Sequence, residues 1–351
     1  MRAETYVLHG LNASPYSVKL RALMRYRRIP HVWRCGMPFI SGVAGVADEV
    51  KVKARLPLVP VLMEPGADVG LSDTTPIIQH LEAAHAERSV VPSDPVLRYL
   101  ALLIEDYADE WLSKIMFHYR WGEPESAEFA RLWVGSEIFA GHEPVGTLDA
   151  RADVNAFARR QVERRAFLGS GEANAPALEA HFHALTDALL ELLGERAFVL
   201  GDRPTVADFA LYGQLRQMAT DVVPARIILE RAPELLVWLD RLDDTSGLEA
   251  RPLATPDELQ GSSGFTHLLR VVGSAYTPFM AANARALLAG ADTLRAEIGG
   301  LPFSQAPFGY HAKCYRVMAG AYHAVEDTLP DGWKARLSDT HCAVRLPTQE
   351  S

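Results

Sequence analysis

The chain has 351 residues, a formal net charge of -9 and 48% hydrophobic residues, which is enough for two or three units with proper cores. The acidic balance, with no basic cluster interleaved with aromatics, excludes a nucleic-acid footprint. No apolar run reaches the roughly 18 residues of a membrane helix, and Met1 to Thr5 lead into a strand without a signal-peptide pattern, so a cytosolic, membrane-free protein is expected.

In chain order, Tyr6 to Leu8 read as an apolar strand, followed by a Gly/Asn turn and a helix that opens at Ser14, Pro15 and Tyr16. Pro suits a first helical turn, and the unpaired N–H groups there, with the dipole, make a place to hold an anion. A thiolate is one candidate. Lowering a thiol pKa from ~8.5 to ~6.5 raises its ionised fraction at pH 7 from roughly 3% to about 75%. The helix ends in Arg25, Arg27 and Arg28, and Pro30 to Trp33 form a second strand; residues 36–55 read as loop plus one irregular helix. Leu58 to Met63 is apolar with Pro60 in its middle, which predicts an edge strand and a bond suited to cis geometry. Pro65 to Asp68 form a turn, Leu71 closes a hairpin, and Asp73, Thr74, Thr75 and Pro76 open a helix carrying Ile77, Ile78 and Leu81. The order is βαβαββα.

A linker over 87–95 leads to Asp94 and Pro95, cap and first position of a long helix running to about Arg120. Leu100, Leu103, Ile104, Tyr107, Trp111, Ile115 and His118 recur at threes and fours, a core stripe. Gly122 to Asp149 reads as a partly helical insertion. Further helices run from Ala152 to Phe167, Pro176 to Leu193, Thr205 to Met218 and Glu234 to Leu242. Thr205 and Asp208 have capping-box spacing, which gives Asp208 a folding role. His181 and His183, two apart on a helix, face different ways and make no metal pair. Cys35, Cys314 and Cys342 lack CxxC spacing and read as buried free thiols, with neither a disulfide framework nor a zinc site. Gly261 to Gly264 reads as a flexible joint to an extension of two helices, one carrying Tyr276, Phe279, Met280, Leu287 and Leu288, the other Tyr310, Cys314, Met318 and Tyr322 at strict fours.

Three pieces then stand in a telling order: Ser14-Pro15-Tyr16-Ser17, Val59-Pro60-Val61 and Asp73-Thr74-Thr75-Pro76-Ile77. With Gly201 to Gly213 (GDRPTVADFALYG) they make residues 5–85 and 97–248 resemble a cytosolic glutathione S-transferase of the serine type. The resemblance implies a thioredoxin-like glutathione-binding domain over 1–88, an all-helical substrate domain over 96–252 and a C-terminal helical extension over 256–351. It further implies glutathione as co-substrate, no metal, and a homodimer. Ser14 matches the hydroxyl that donates to the glutathione thiolate. Val59, before the cis candidate Pro60, matches the residue whose backbone binds the cysteinyl part, and Asp73 and Thr74 match the pair that holds the γ-glutamyl amine and carboxylate. The end of the first long helix lines the cavity for the electrophile in this family; Trp111, Tyr119 and Arg120 are the candidates there, although core packing also accounts for Trp111. Two departures stand out. Leu58 occupies the place where many members carry Lys or Gln toward the glycyl carboxylate, with Lys51, Lys53 and Arg55 as candidate substitutes or solvated charges. Ser14 replaces the cysteine of thiol-transferring relatives, and serine forms no mixed disulfide. The expected activity is conjugation of glutathione to a small apolar electrophile. Isomerisation or dehalogenation on the same site, or non-catalytic binding, are the alternatives.

Overall fold

The computed structural model describes residues 5–37, 53–54, 58–140 and 144–347. The N-terminal unit contains β1 (Tyr6–Gly10), α1 (Pro15–Tyr26), β2 (His31–Cys35), β3 (Lys53–Ala54), β4 (Val61–Met63), β5 (Val69–Ser72) and α2 (Thr74–Ala84). Its sheet has the order β2-β1-β4-β5-β3, with β1 parallel to β2, antiparallel to β4, and β4 antiparallel to β5. Val59-Pro60 is cis. The expected edge position is corrected: Pro60 precedes β4, which pairs on both sides through Val61 and Leu62, so the missing N–H of proline removes no ladder bond. The irregular helix expected over 36–55 lies largely outside the described residues.

α1 is buried on almost every side because it lies between the sheet and a helix of the second unit, α8 (Val206–Met218). Gly213 of α8 permits this approach: a Cβ there would sit 2.6 Å from the Pro15 carbonyl oxygen. Thr205 and Asp208 start α8 as expected, the Thr205 N–H donating to the Asp208 carboxylate at 2.8 Å. That carboxylate also accepts the Val199 N–H at 2.7 Å, which ties the preceding turn to the helix.

The long helix is real but interrupted. α3 (Pro95–Tyr107) and α4 (Ser113–Gly122) are joined by a π-helical turn, Ala108–Leu112. Such a turn inserts a residue into the helical register and rotates the residues beyond it. Asp94 caps α3 through the Leu97 N–H at 3.0 Å. The insertion holds α5 (Pro124–Gly135) and short π and 3-10 turns, and α6 (Ala152–Glu163), α7 (Ala175–Glu195), α9 (Val222–Arg231) and α10 (Glu234–Asp243) complete the helical unit. Among the described residues no helix is long and apolar enough to cross a membrane.

The extension is built of α11 (Pro256–Gln260), α12 (Ser263–Leu288), β6 (Leu294–Ile298), β7 (Leu301–Gln305), α13 (Gly309–Glu326) and α14 (Asp331–Asp339). The expected joint at 261–264 is a helix start. Ser262 caps α12 by accepting the Phe265 N–H at 2.9 Å, and Glu195 accepts hydrogen bonds from Ser262, Ser263 and the Gly264 N–H. The β6–β7 hairpin was not expected; its sign was Gly299-Gly300, at φ 56° and 82°, the pair a tight two-residue turn requires. α12 lies along α7, and Phe279 and Phe303 meet the Trp111 ring at centroid distances of 5.5 and 5.1 Å. One hydrophobic core therefore runs from the sheet through the helical unit into the extension. On α13 the buried face is His311, Tyr315, Met318 and Tyr322, following the 3.6 period; strict fours drift off it, leaving Tyr310 and Cys314 beside the core.

Candidate functional site

A cavity of about 700 Å³ opens where the N-terminal unit, α3–α4 and α13 converge. From the N-terminal unit it is lined by Tyr16, Leu58, Val59, Pro60, Asp73 and Thr74. Four residues chosen from sequence, Val59, Pro60, Asp73 and Thr74, are therefore gathered on one wall. Asp73 is the N-cap of α2 at φ 78°, a left-handed conformation rare for a non-glycine residue, and its carboxylate makes no capping bond to the helix. The side chain is turned to the cavity, where the Tyr310 hydroxyl donates to Oδ2 at 3.4 Å.

Ser14 is not among the residues lining this cavity. It caps α1, its Oγ accepting the Ser17 N–H at 3.3 Å, which leaves its own O–H to donate. The loop before it is tightly held. Glu137 accepts from the Asn12 amide at 2.8 Å and the Ala13 N–H at 2.9 Å, while Arg120 donates to the Ala13 carbonyl at 2.7 Å. Tyr16 is the α1 hydroxyl on the wall; it donates to the Asp109 carbonyl at 2.9 Å.

The three residues expected to meet an electrophile lie elsewhere. Trp111 is fully buried in the ring cluster with Phe279, Phe303 and His181. Tyr119 is buried against Phe182, ring centroids 5.3 Å apart. Arg120 is 3% exposed and pairs with Asp221 at 2.8 Å and Gln217 at 2.7 Å, so it positions the Ser14 loop from behind. The reason is register. The stripe that contains Trp111 faces the core, and the residues that face the cavity from α3, the π turn and α4 are Asp106, Asp109, Glu110, Ser113, Lys114, Met116 and Phe117. These too recur at threes and fours, a second stripe visible in the sequence beside the apolar one.

This wall carries ionisable groups that are buried or half-buried. Lys19 of α1 is fully buried between Glu105 at 2.8 Å and Asp109 at 2.6 Å; burial opposes its charge, but the two carboxylates outweigh that and keep it protonated. Together with Tyr16, Lys19 fixes the π turn from below the cavity. Burial raises the Asp106 carboxyl well above its usual range, with Glu110 adding to it, and raises Glu110 to about 7. Burial lowers Lys114 to about 8; its ammonium donates to the Leu168 carbonyl at 3.3 Å and lies over the Phe279 ring. The Tyr276 hydroxyl donates to Asp106 at 2.5 Å. From the extension come Phe308, Tyr310, His311, Lys313, Cys314 and Val317. Asp106, Glu110 and Cys314 bring ligand atoms within 4.8 Å of one another. All three cysteines are free; Cys342 is buried, while Cys35 and Cys314 are half-buried and Cys314 faces the cavity. His181 is bonded to the Tyr107 hydroxyl at 2.6 Å inside the core. Lys51 and Arg55 fall outside the described residues.

The family model of the glutathione S-transferase N-terminal domain matches residues 8–89, and that of the C-terminal domain matches residues 153–241. The chain belongs to the glutathione S-transferase family, with the thioredoxin-like and helical domains of its enzymes. Solved structures similar to it include a transferase from Methylobacterium radiotolerans in complex with glutathione sulfonate, at 20% identity and TM-score 0.42, covering 72% of this chain and 96% of that one. Another, from Rhodospirillum rubrum, has 18% identity and TM-score 0.41 over 72% of this chain and 96% of that chain. A rice transferase in complex with glutathione has 17% identity and TM-score 0.39 over 74% and 94% of the two chains. Comparison with curated proteins gave no match.

Proposed function

We propose that this protein joins the thiolate of glutathione to a small electrophile held in the cavity. The observation that carries the reading is the gathering of Val59, Pro60, Asp73 and Thr74 on one cavity wall in a chain of the transferase family. The Val59 backbone receives the cysteinyl part as an added strand would. Asp73 holds the γ-glutamyl amine, and Thr74 with the start of α2 holds its carboxylate. Ser14 donates its O–H to the sulfur at the start of α1. The chain's work is thiol ionisation and positioning: a sulfur–carbon bond forms as a leaving group departs or a double bond is saturated. In this reading residues 1–88 bind glutathione, 96–252 and 256–351 shape the electrophile site, and the homodimer and cytosolic setting rest on the family resemblance.

Calorimetric titration with glutathione tests it, the expected result being saturable binding at millimolar concentration or below. A second reading, a non-catalytic binding protein, is favoured by Leu58, which stands 60% exposed on the wall where a basic residue would reach the glycyl carboxylate. Absence of both heat and competition would overturn the transferase and leave that reading.

A further inference from the structure

The family models end at residue 89 and resume at 153, and stop at 241, so the wall formed by Asp106, Glu110 and Cys314 lies outside both. Asp106 in α3 and Glu110 within the π turn stand four apart, and their carboxylate oxygens lie within 4.8 Å of each other and of the Cys314 sulfur. Among the described residues neither forms an ion pair with a lysine or arginine. The basic group closest to Glu110 is His311, at 3.2 Å, and burial with nearby Lys114 lowers that imidazole to about 3, so it is neutral at pH 7; Lys114 and Lys19 offset part of the Glu110 charge from a greater distance. Lys114 is turned to a carbonyl and a ring, and Lys313 lies over the Tyr310 ring. Asp109, 7% exposed on the same wall, has a carboxylate oxygen, Oδ1, with no hydrogen-bond partner. The cavity is thus lined by Asp73, Asp106, Asp109 and Glu110 against Lys114 and Lys313, with apolar surface at Met116, Phe117, Phe308 and Val317.

These half-buried carboxyls sit within 4.8 Å of each other and are held toward the neutral form by burial and by neighbouring carboxylates; a cation placed against them favours the ionised form and gains a charge-assisted contact. We infer that the electrophile is a cationic amphiphile: an apolar body against Phe117 and Phe308, and an ammonium or related positive group against Asp106 and Glu110. This rests on the transferase reading above. It replaces the wholly apolar substrate expected from sequence, and it separates two cationic subsites, Asp73 for the glutathione amine and the Asp106–Glu110 pair for the co-substrate.

The test is a matched pair of benzylic chlorides, para-(chloromethyl)phenyltrimethylammonium and para-tert-butylbenzyl chloride, nearly equal in shape. In each case sulfur bonds the benzylic carbon, the carbon–chlorine bond breaks, chloride leaves with the electron pair, and the thiol proton goes to solvent. Rates are divided by the uncatalysed rate with glutathione alone. The expected result is a kcat/KM enhancement at least about tenfold larger for the cationic chloride, the worth of one charge-assisted contact, with that ratio lost in the Asp106→Asn/Glu110→Gln variant. Equal or greater enhancement for the neutral chloride overturns the inference, as does a ratio that survives in the variant. If glutathione binds but neither chloride is turned over, benzylamine against benzyl alcohol, titrated by calorimetry into the glutathione-saturated protein, decides: tighter benzylamine binding supports the inference and equal binding overturns it. Two further outcomes overturn it in favour of another occupant: tight zinc binding by the chelator-stripped protein that the variant abolishes, without any electrophile preference, or a tenfold loss of glutathione affinity in the variant with the ratio unchanged. Failure of glutathione itself to bind the wild-type protein removes the transferase reading and this inference with it.

Discussion

At Asp73 an acidic residue is held in a backbone conformation that costs about 1 kcal/mol or more for a non-glycine side chain, and its carboxylate spends none of its hydrogen-bonding capacity on the helix it starts. A charged contact to a ligand amine is worth about 1.5–3 kcal/mol, so Asp73→Asn, which tolerates the same backbone, is expected to weaken glutathione binding roughly tenfold to a hundredfold while leaving the thermal midpoint nearly unchanged. Calorimetry and a melting curve on the same sample check both halves. Ser14 carries two roles that separate by measurement. As a helix cap its loss costs about 1 kcal/mol of stability, whereas as thiolate donor its replacement by alanine raises the pKa of bound glutathione, read by ultraviolet absorbance against pH. An unchanged thiol pKa with lowered stability would leave Ser14 a cap and nothing more.

At the level of elements, the loop that presents Ser14 is held by the end of α4. Arg120 of α4 reaches the Ala13 carbonyl, Gln217 and fully buried Asp221. Breaking a buried pair by removing one partner strands the other charge, at a cost of about 3–5 kcal/mol. Arg120→Ala is therefore expected to lower the urea midpoint markedly; a change within error would show that the pair is wetter than its burial implies. The α3–α7 contact carries a pH dependence. Burial alone pushes His181 from the ordinary 6.5 down to about 3. The native state then stays neutral where the unfolded chain takes up a proton, so this group's stabilisation is fully present above about 6.5 and is lost as pH falls toward about 3. Stability against urea should decline over that window, and less steeply in His181→Gln, which keeps a hydrogen-bonding partner for Tyr107. His311, lowered by burial and Lys114 in the same way, accounts for part of the remaining slope.

Across the whole molecule, the extension is part of the core and part of the cavity at once. α12 covers α7, Phe279 and Phe303 complete the ring cluster around Trp111, and α13 supplies the wall opposite Asp73. A chain ending at Ala254 would expose this apolar surface. Removing buried aromatic contacts of this kind costs about 3–5 kcal/mol each, so the truncated protein is expected to aggregate or to melt far below the full chain. A soluble truncation with an unchanged melting point and substrate range would show the extension to be a separate appendage.

How much of this was legible beforehand depends on the range of the forces involved. Caps are local: Ser14-Pro15, Asp94-Pro95 and Thr205 with Asp208 each act within one helical turn, and the sequence by itself placed them. The order Ser14-Pro15, Val59-Pro60, Asp73-Thr74 carried the family resemblance and named four residues that share one cavity wall. The sequence also contained both stripes of the first long helix, but an apolar stripe and a polar one look alike in spacing. Only tertiary structure decided that Trp111, Tyr119 and Arg120 face protein while Asp106, Glu110 and Lys114 face the cavity, because the extension, with α13 some two hundred residues downstream, determines which face has neighbours. The charge of that wall is a property of what packs around it, and no local pattern carries it.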